Sequence, residues 1–490
     1  MAATALRGPL RGLRVLELGS FIAGPHAGTT LGSFGAEVIK IEPSGGDQIR
    51  SWREVDGSGT SYWWRSLGRN KKSVCVDLRA EEGRELIREM LPHFDALVEN
   101  FRPGRMEEWG LSPEACWGIN PDLVYTRVSG YGQTGPYASR PGFASACEAM
   151  GGLRYINGFE DRPSVRPNIS LGDTLAGERA ALGTVLALLA RERGLGADDG
   201  GSVGGAGAMA GVGGVTGAGG AGGVGGGAGG DAAAAAGGDQ GADVASVAAN
   251  ARRGVANGHG DTMETSKRGL GQVVDVSIVE SVFGMLEGIL PEYSGAGAVR
   301  GPSGSSITGI VPTGTYPCGD GKYVVIGANS DSLFKRLCSC MGRDDLGGDD
   351  ESFGDNTKRV QRQGTIDEAI AAWTRSCPTA EDACAALEEA GIPNGMIFSI
   401  KDIVEDRHVQ ERGMIETVTI GGGPNGLEQR ELDIPAVSCP RLSATPGGTA
   451  WPGRDAPGDD TGDVLRELVG KSEAEVAALA AKGVVHGRGV

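Results

Sequence analysis

Paired cysteines, histidine clusters, long apolar runs and a basic balance are all missing from this chain. The nine cysteines, Cys75, Cys116, Cys147, Cys318, Cys338, Cys340, Cys377, Cys384 and Cys439, are odd in number and contain no C-x-x-C pair. Zinc-finger and thioredoxin readings fail on that spacing, and free thiols in a reducing compartment are expected. Only five histidines occur, His26, His93, His259, His408 and His486, and none stands in a carboxylate cluster. No metal is therefore expected, and a Ser-His-Asp hydrolase would need a better-placed base. No apolar run approaches the roughly 20 residues of a membrane span, and no secretory core segment is present. The net charge of −17 speaks against nucleic acid or an anionic membrane as partner, since both require a basic face. A small anion held by local arginines remains compatible with it. The N-terminal "MAATALRGPLRGLR" is basic and free of acids, as transit peptides often are, but a strand begins at Leu13. A cytoplasmic location is expected, with a mitochondrial one left open.

Glycine, by contrast, is in excess, 86 of 490 residues, and most of the surplus lies between 194 and 267. A stretch made almost wholly of Gly, Ala, Val and Asp cannot bury enough apolar surface to offset its ordering entropy. It reads as a disordered insertion on a surface loop. It contains a formal G-x-S-x-G match, Gly200–Gly204, without the strand and helix that a nucleophile elbow requires. Outside it, strand-like and helix-like segments alternate. "LRVLELG", "AEVIKIEP", "KKSVCVDL", "DALVENF", "PDLVYTRVSG" and Val273–Val276 read as strands. "AEEGRELIREMLPHF" carries Leu86, Met90 and Phe94 at helical spacing. The alternation predicts a parallel α/β sheet. Further on, "DGKYVVIGAN" reads as a strand pair, followed by helices broken at Pro378 and one or two helices in the tail.

Two places invite chemistry. The first, Gly19 to Glu42, has the strand, Gly-rich turn, helix and acid-ended strand of a dinucleotide fold. Its glycines, Gly19, Gly24 and Gly28, are spaced differently from G-x-G-x-x-G, so either a phosphate-binding turn or a plain tight turn fits. The second is Asp173 in "NISLGDTLAGERAALG", where a strand-like run meets a long apolar helix pattern. The plain reading is an N-cap, because a carboxylate accepts orphan helix N–H groups and suits the positive helix end. With histidine and paired cysteine scarce, a carboxylate nucleophile is the other reading.

The stretches "LRVLELGSFIAGP", "GAEVIKIE", "GRNKKSVCVDLR", "LVENFRPG", "GYGQTGPY", "NISLGDTLAG", "GQVVDVSIVE" and "GIPNGMIFSIKDI" follow one another in a familiar order. Together they resemble the class III CoA-transferases, a family that includes formyl-CoA transferase, carnitine CoA-transferase and succinyl-CoA:glutarate CoA-transferase. The resemblance spans the chain apart from the Gly-rich insertion. It implies an α/β, Rossmann-like large domain with a smaller domain, assembled as an interlocked homodimer. The implied boundaries are 1–193 for the first part of the large domain, 194–267 for the insertion, 268–310 for a linker and helix, 311–415 for the small domain and 416–490 for a return to the large domain. It implies Asp173 as nucleophile, forming an aspartyl anhydride and then an aspartyl-CoA thioester. Coenzyme A and its thioesters are substrates, no cofactor is held permanently, and the acceptor is a small carboxylic acid, with succinate, glutarate or malate as expected types. The CoA contacts implied are Ile22, Ala23, Val76, Arg79, Asn100, Phe101, Arg105 and Arg140. Pro43 and Glu108 stand where formyl-CoA transferase has arginines, which leaves Arg102 or Arg105 as replacements. α-Methylacyl-CoA racemase shares the fold and uses a His–Asp pair, but Phe143 occupies the histidine's place here. A racemase, a non-catalytic CoA-binding paralogue and a dinucleotide oxidoreductase are the competing readings.

Overall fold

The computed structural model describes residues 7–195, 270–347, 351–422 and 428–490. The expected disordered insertion and its G-x-S-x-G match lie, from residue 196 on, outside the described residues. Six short apolar segments become the strands β1 (Arg14–Glu17), β2 (Glu37–Glu42), β3 (Lys71–Val76), β4 (Ala96–Glu99), β5 (Val124–Ser129) and β6 (Val273–Ser277). They pair in parallel in the order β3-β2-β1-β4-β5-β6. Successive side chains on a strand point to opposite faces. Leu16, Ile39, Ile41, Val74 and Leu97 accordingly enter one core, with the Glu81–Met90 helix. Val15, Val38, Ala96, Val98 and Val124 enter the other, with the helices Ala23–Ser33 and Leu171–Glu192. Both faces are covered, which is why these strands read as nearly continuous apolar runs.

The remaining strands are β7 (Thr313–Pro317), β8 (Tyr323–Gly327), β9 (Asn394–Met396), β10 (Ile415–Ile420), β11 (Arg430–Pro435) and β12 (Val485–His486). The expected strand pair in "DGKYVVIGAN" is one strand only. Its partner is β7, on the other side of the turn at 318–321, and β9 completes an antiparallel sheet of three. Val324 and Ile326 pack from this sheet against Phe334, Leu337, Ile366, Ile370, Ala383 and Leu387 of the following helices. β10 and β11 form a separate antiparallel pair. The chain end then rejoins the large sheet, where β12 adds antiparallel to the β3 edge. Two tail helices, Thr461–Val469 and Glu473–Ala481, accompany it. The described residues thus make a mixed α/β fold around one large, mainly parallel sheet.

Candidate active site

In a sheet ordered 3-2-1-4-5-6, the chain turns in opposite directions after the first and fourth strands, and a crevice opens at their C-terminal ends. β1 and β4 are those strands here. Their following loops line a cavity of about 350 Å³ together with the loop after β5 and one carboxylate, Asp173. Ser20, Phe21, Ile22 and Ala23 come from β1, Asn100, Phe101 and Arg102 from β4, and Ser129 and Gly130 from β5. Gly142, Phe143 and Ile278 close the wall.

The β1 loop is held from below by buried charge. Lys40 Nζ donates to Glu17 Oε1 at 2.9 Å and to the Gly19 carbonyl at 2.7 Å, and it pairs with Asp47 at 2.9 Å. Lys71 Nζ meets Glu17 Oε2 at 2.8 Å and the Pro25 carbonyl at 2.6 Å. Burial alone would strip Lys40 of its proton, but Glu17, Asp47 and Glu42 hold it charged, with its pKa raised. Asp47 also accepts the Phe21 N–H at 3.3 Å. Phe21 has a φ of 63°, a backbone strain that persists only when surroundings enforce it. From the β4 side, Asn100 accepts the Ser20 N–H and donates to the Ser20 carbonyl, both at 2.8 Å. Its side chain therefore joins the two loops across the crevice. Phe101 donates its N–H to Glu99 Oε2 at 2.7 Å and stacks edge-on against Trp109 at 5.0 Å between centroids.

Asp173 is not the helix cap. The helix starts at Leu171 with Ser170 in the capping position, and Asp173 is its third residue. The cap reading fails because the strand-like run before it ends sooner and the chain is helical already at Leu171. The carboxylate is thereby free of a local capping bond. Its neighbour Gly172 donates its N–H to Glu148 Oε1 at 3.0 Å. A Cβ on Gly172 would approach Glu148 Cγ to 3.2 Å, so glycine lets the two elements meet. Glu148 is fully buried and its other oxygen has no hydrogen bond, the nearest cation being Arg154 at 3.9 Å. Burial first, and the Glu148 charge second, push the Asp173 pKa up to about 6, with Arg166 opposing them. Cys147, the thiol beside this pair, is pushed up to about 11 by burial and by the same two acids. It stays a thiol near neutral pH and is a poor nucleophile.

Of the expected contacts, the fold brings Ile22, Ala23, Asn100 and Phe101 into one cavity with Asp173. The others lie outside that lining. Val76 is 1% exposed in the core. Arg79 is turned onto Asp77 at 2.9 Å at the far end of β3. Arg105 pairs with Glu108 at 2.7 Å, so the acid at the family's arginine position neutralises it. Arg140 stacks on Tyr137 at 3.5 Å, two residues before the wall residue Gly142. Arg102 lines the cavity itself. Sequence reading missed Glu148 and Arg166. A lone acid in the apolar run "ASACEAM" was a usable signal for Glu148, whereas Arg166 sits in a loop without periodicity.

A doubly wound sheet with a half-buried carboxylate in the cavity at its switch point defines the α/β class of the chain. The family model described as CoA-transferase family III matches residues 10–215 and 255–461. The succinyl-CoA–D-citramalate CoA-transferase of Chloroflexus aurantiacus is 38% identical over 478 residues, covering 97% of this chain and 98% of that one. The α subunit of succinyl-CoA–L-malate CoA-transferase from the same organism is 34% identical over 97% of this chain and 92% of its own length. The crystal structure of a CaiB/BaiF family protein from Brucella suis superposes with a TM-score of 0.67 at 26% identity, covering 94% of this chain and 99% of that one. The chain belongs to CoA-transferase family III and is an enzyme of that class. Among the described residues no helix is long and apolar enough to cross a membrane.

Proposed function

We propose that the protein moves CoA from an acyl-CoA donor to a short dicarboxylic acid, with Asp173 as covalent carrier. The observation that carries this reading is the placement of Asp173, half-buried on a helix start, in the same cavity as Ile22, Ala23, Asn100 and Phe101. The ionised carboxylate attacks the thioester carbonyl of the donor, and the C–S bond breaks to release CoA thiolate and leave a mixed anhydride. The thiolate attacks the aspartyl carbonyl, expelling the donor acid and forming an aspartyl thioester. The acceptor carboxylate attacks that carbonyl and releases thiolate again. The thiolate then attacks the acceptor carbonyl of the second anhydride, which returns Asp173 and gives the product thioester. Each step exchanges one activated acyl bond for another, so no external energy source enters. The Gly172 N–H is engaged by Glu148. The other orphan N–H groups of the helix start and its dipole are the stabilisers available to the oxyanions.

The dicarboxylate assignment is supported by the printed activities of the relatives above, on D-citramalate and L-malate. Coenzyme A exceeds the cavity in length. Its acyl end fits among the cavity residues, and its nucleotide end is assigned to the loops after β3, β4 and β5 that bear Arg79, Arg102, Arg105 and Arg140. A homodimer accompanies this reading, supported by the exposed Leu182, Leu186 and Leu189, which form one stripe on the 171–192 helix.

Asp173→Asn tests the mechanism. Asp173 makes no capping bond, so the variant should fold normally, while CoA transfer should fall by about a thousandfold or more because an amide is a poor nucleophile. Wild-type protein incubated with succinyl-CoA and then hydroxylamine should carry a hydroxamate on the Asp173 peptide, read by mass spectrometry. A folded Asp173→Asn protein with near wild-type transfer would sink the covalent mechanism.

A further inference from the structure

One guanidinium holds both ends of the loop after β4. Arg127 on β5 is the register partner of Glu99, the last residue of β4. Its Nε donates to Glu99 Oε1 at 2.8 Å. Its Nη1 and Nη2 donate to the two oxygens of Glu107 at 2.7 and 3.2 Å. Glu107 lies in the short helix Arg105–Glu108 that follows the loop. Asn100, Phe101 and Arg102, which line the Asp173 cavity, stand between the two acids. The other Glu99 oxygen accepts the Phe101 N–H at 2.7 Å. Glu99 is 1% exposed and Arg127 6%. Two strands joined by a backbone ladder do not need such a pair, since well-packed apolar side chains of similar volume often serve as well. The pair stands where the β4 ladder stops and the cavity wall begins. Burial pushes the Glu99 carboxyl up to about 7, while Arg127 and the Phe101 N–H favour its ionised form. That form offers one acceptor oxygen to each donor.

We propose that Glu99 is a positioning residue for coenzyme A: by accepting the Phe101 N–H, it fixes the β4 loop in the conformation that receives the thioester. The inference rests on the placement of CoA against Phe101 proposed above and adds the group that sets that wall. Glutamine cannot replace Glu99. Its single carbonyl oxygen can meet only one of the two donors, and its NH2 group then faces the other. The charged Arg127 Nε–H is the stronger donor and takes the oxygen. The Phe101 N–H is left without an acceptor, and the loop populates the binding conformation only part of the time. CoA affinity falls by that fraction. Removing Arg127 as well frees the amide oxygen for Phe101.

The test measures the dissociation constant of CoA on the full chain by isothermal titration calorimetry. Glu99→Gln should bind CoA about tenfold or more weakly than wild type, the loss expected when a hydrogen bond to a charged group goes unmet. Glu99→Gln combined with Arg127→Met should recover to within about threefold of wild type, a coupling that general damage to the sheet would not give. Should the single variant fail to fold, Glu99→Leu with Arg127→Met takes its place. It differs from the rescued pair only at residue 99, where it has no acceptor, and should bind about tenfold more weakly than that pair. An unchanged constant in Glu99→Gln would overturn the proposal. So would equal constants in the two double variants, or a rescue variant as weak as Glu99→Gln. Phe101→Ala is the control for the underlying reading. If it binds CoA as wild type does, the placement of CoA on Phe101 falls and the proposal with it.

Discussion

Asp173 combines two demands that oppose each other. The proposed attack requires it ionised, yet burial and the Glu148 carboxylate resist its ionisation and lift its pKa to about 6. A raised pKa makes a carboxylate a stronger nucleophile once ionised, provided the working pH lies above it. The groups facing it are Glu148 and Cys147 from the 144–150 helix and Arg166 from the preceding loop. The acid limb of kcat/KM should therefore turn over near pH 6. Glu148→Gln keeps an acceptor for the Gly172 N–H and removes the charge, so the limb should move to lower pH. An unshifted profile in a folded Glu148→Gln protein would show that Glu148 does not tune the nucleophile. The same shift costs stability. The folded state holds the Asp173 proton to higher pH than the unfolded chain does, so stability falls as pH rises from about 4 to about 6. The penalty stands in full at neutral pH.

At the scale of elements, the site depends on how closely the 23–33 helix lies on the sheet. Gly28 faces the buried Glu17 carboxylate, and a Cβ there would overlap Glu17 Oε2. Glu17 cannot retreat freely, since Lys40 and Lys71 hold its two oxygens. Gly28→Ala should therefore lower unfolding free energy by about 3 kcal/mol or more, through overpacking joined to a disturbed buried ion pair. Urea denaturation measures it, and a loss under about 1 kcal/mol would show that the helix can shift without breaking the cluster. This glycine was legible in the sequence as part of an irregular Gly-rich turn. Its partner was not, because Glu17, Lys40 and Lys71 come from three strands whose order only the folded sheet sets.

At the scale of the molecule, apolar surface remains uncovered. Leu182, Leu186 and Leu189 are each more than half exposed, as are Met285, Leu290, Tyr293 and Val299 on the segment leading away from the large sheet. Exposed apolar groups in this number support the homodimer reading. The homodimer proposed above should sediment as a dimer down to nanomolar concentration, and Leu186→Glu should lower its stability. Folded, freely exchanging wild-type monomers would overturn that reading. The tail contributes to the same body. Trp451 donates to the Lys71 carbonyl and Thr461 accepts the Cys75 N–H of β3, the Arg454 carbonyl accepts from Arg50 and Trp64, and β12 extends the sheet edge.

The sequence by itself determined the parallel sheet and most of its strands to within a residue or two, and the family resemblance pointed to Asp173 and four residues that the fold gathers in one cavity. These follow from local pattern, since apolar alternation, capping residues and motif order are written in neighbouring positions. Tertiary structure alone decided the strand order 3-2-1-4-5-6, the antiparallel return of β12, and the pairing of β7 with β8 across the turn. It also decided that Ser170, not Asp173, occupies the cap and that Glu148 accepts the Gly172 N–H next to Asp173. The strand order, the β12 return and the Glu148 contact join residues tens of positions apart, and their energies depend on burial and distance, which no single stretch of the chain encodes.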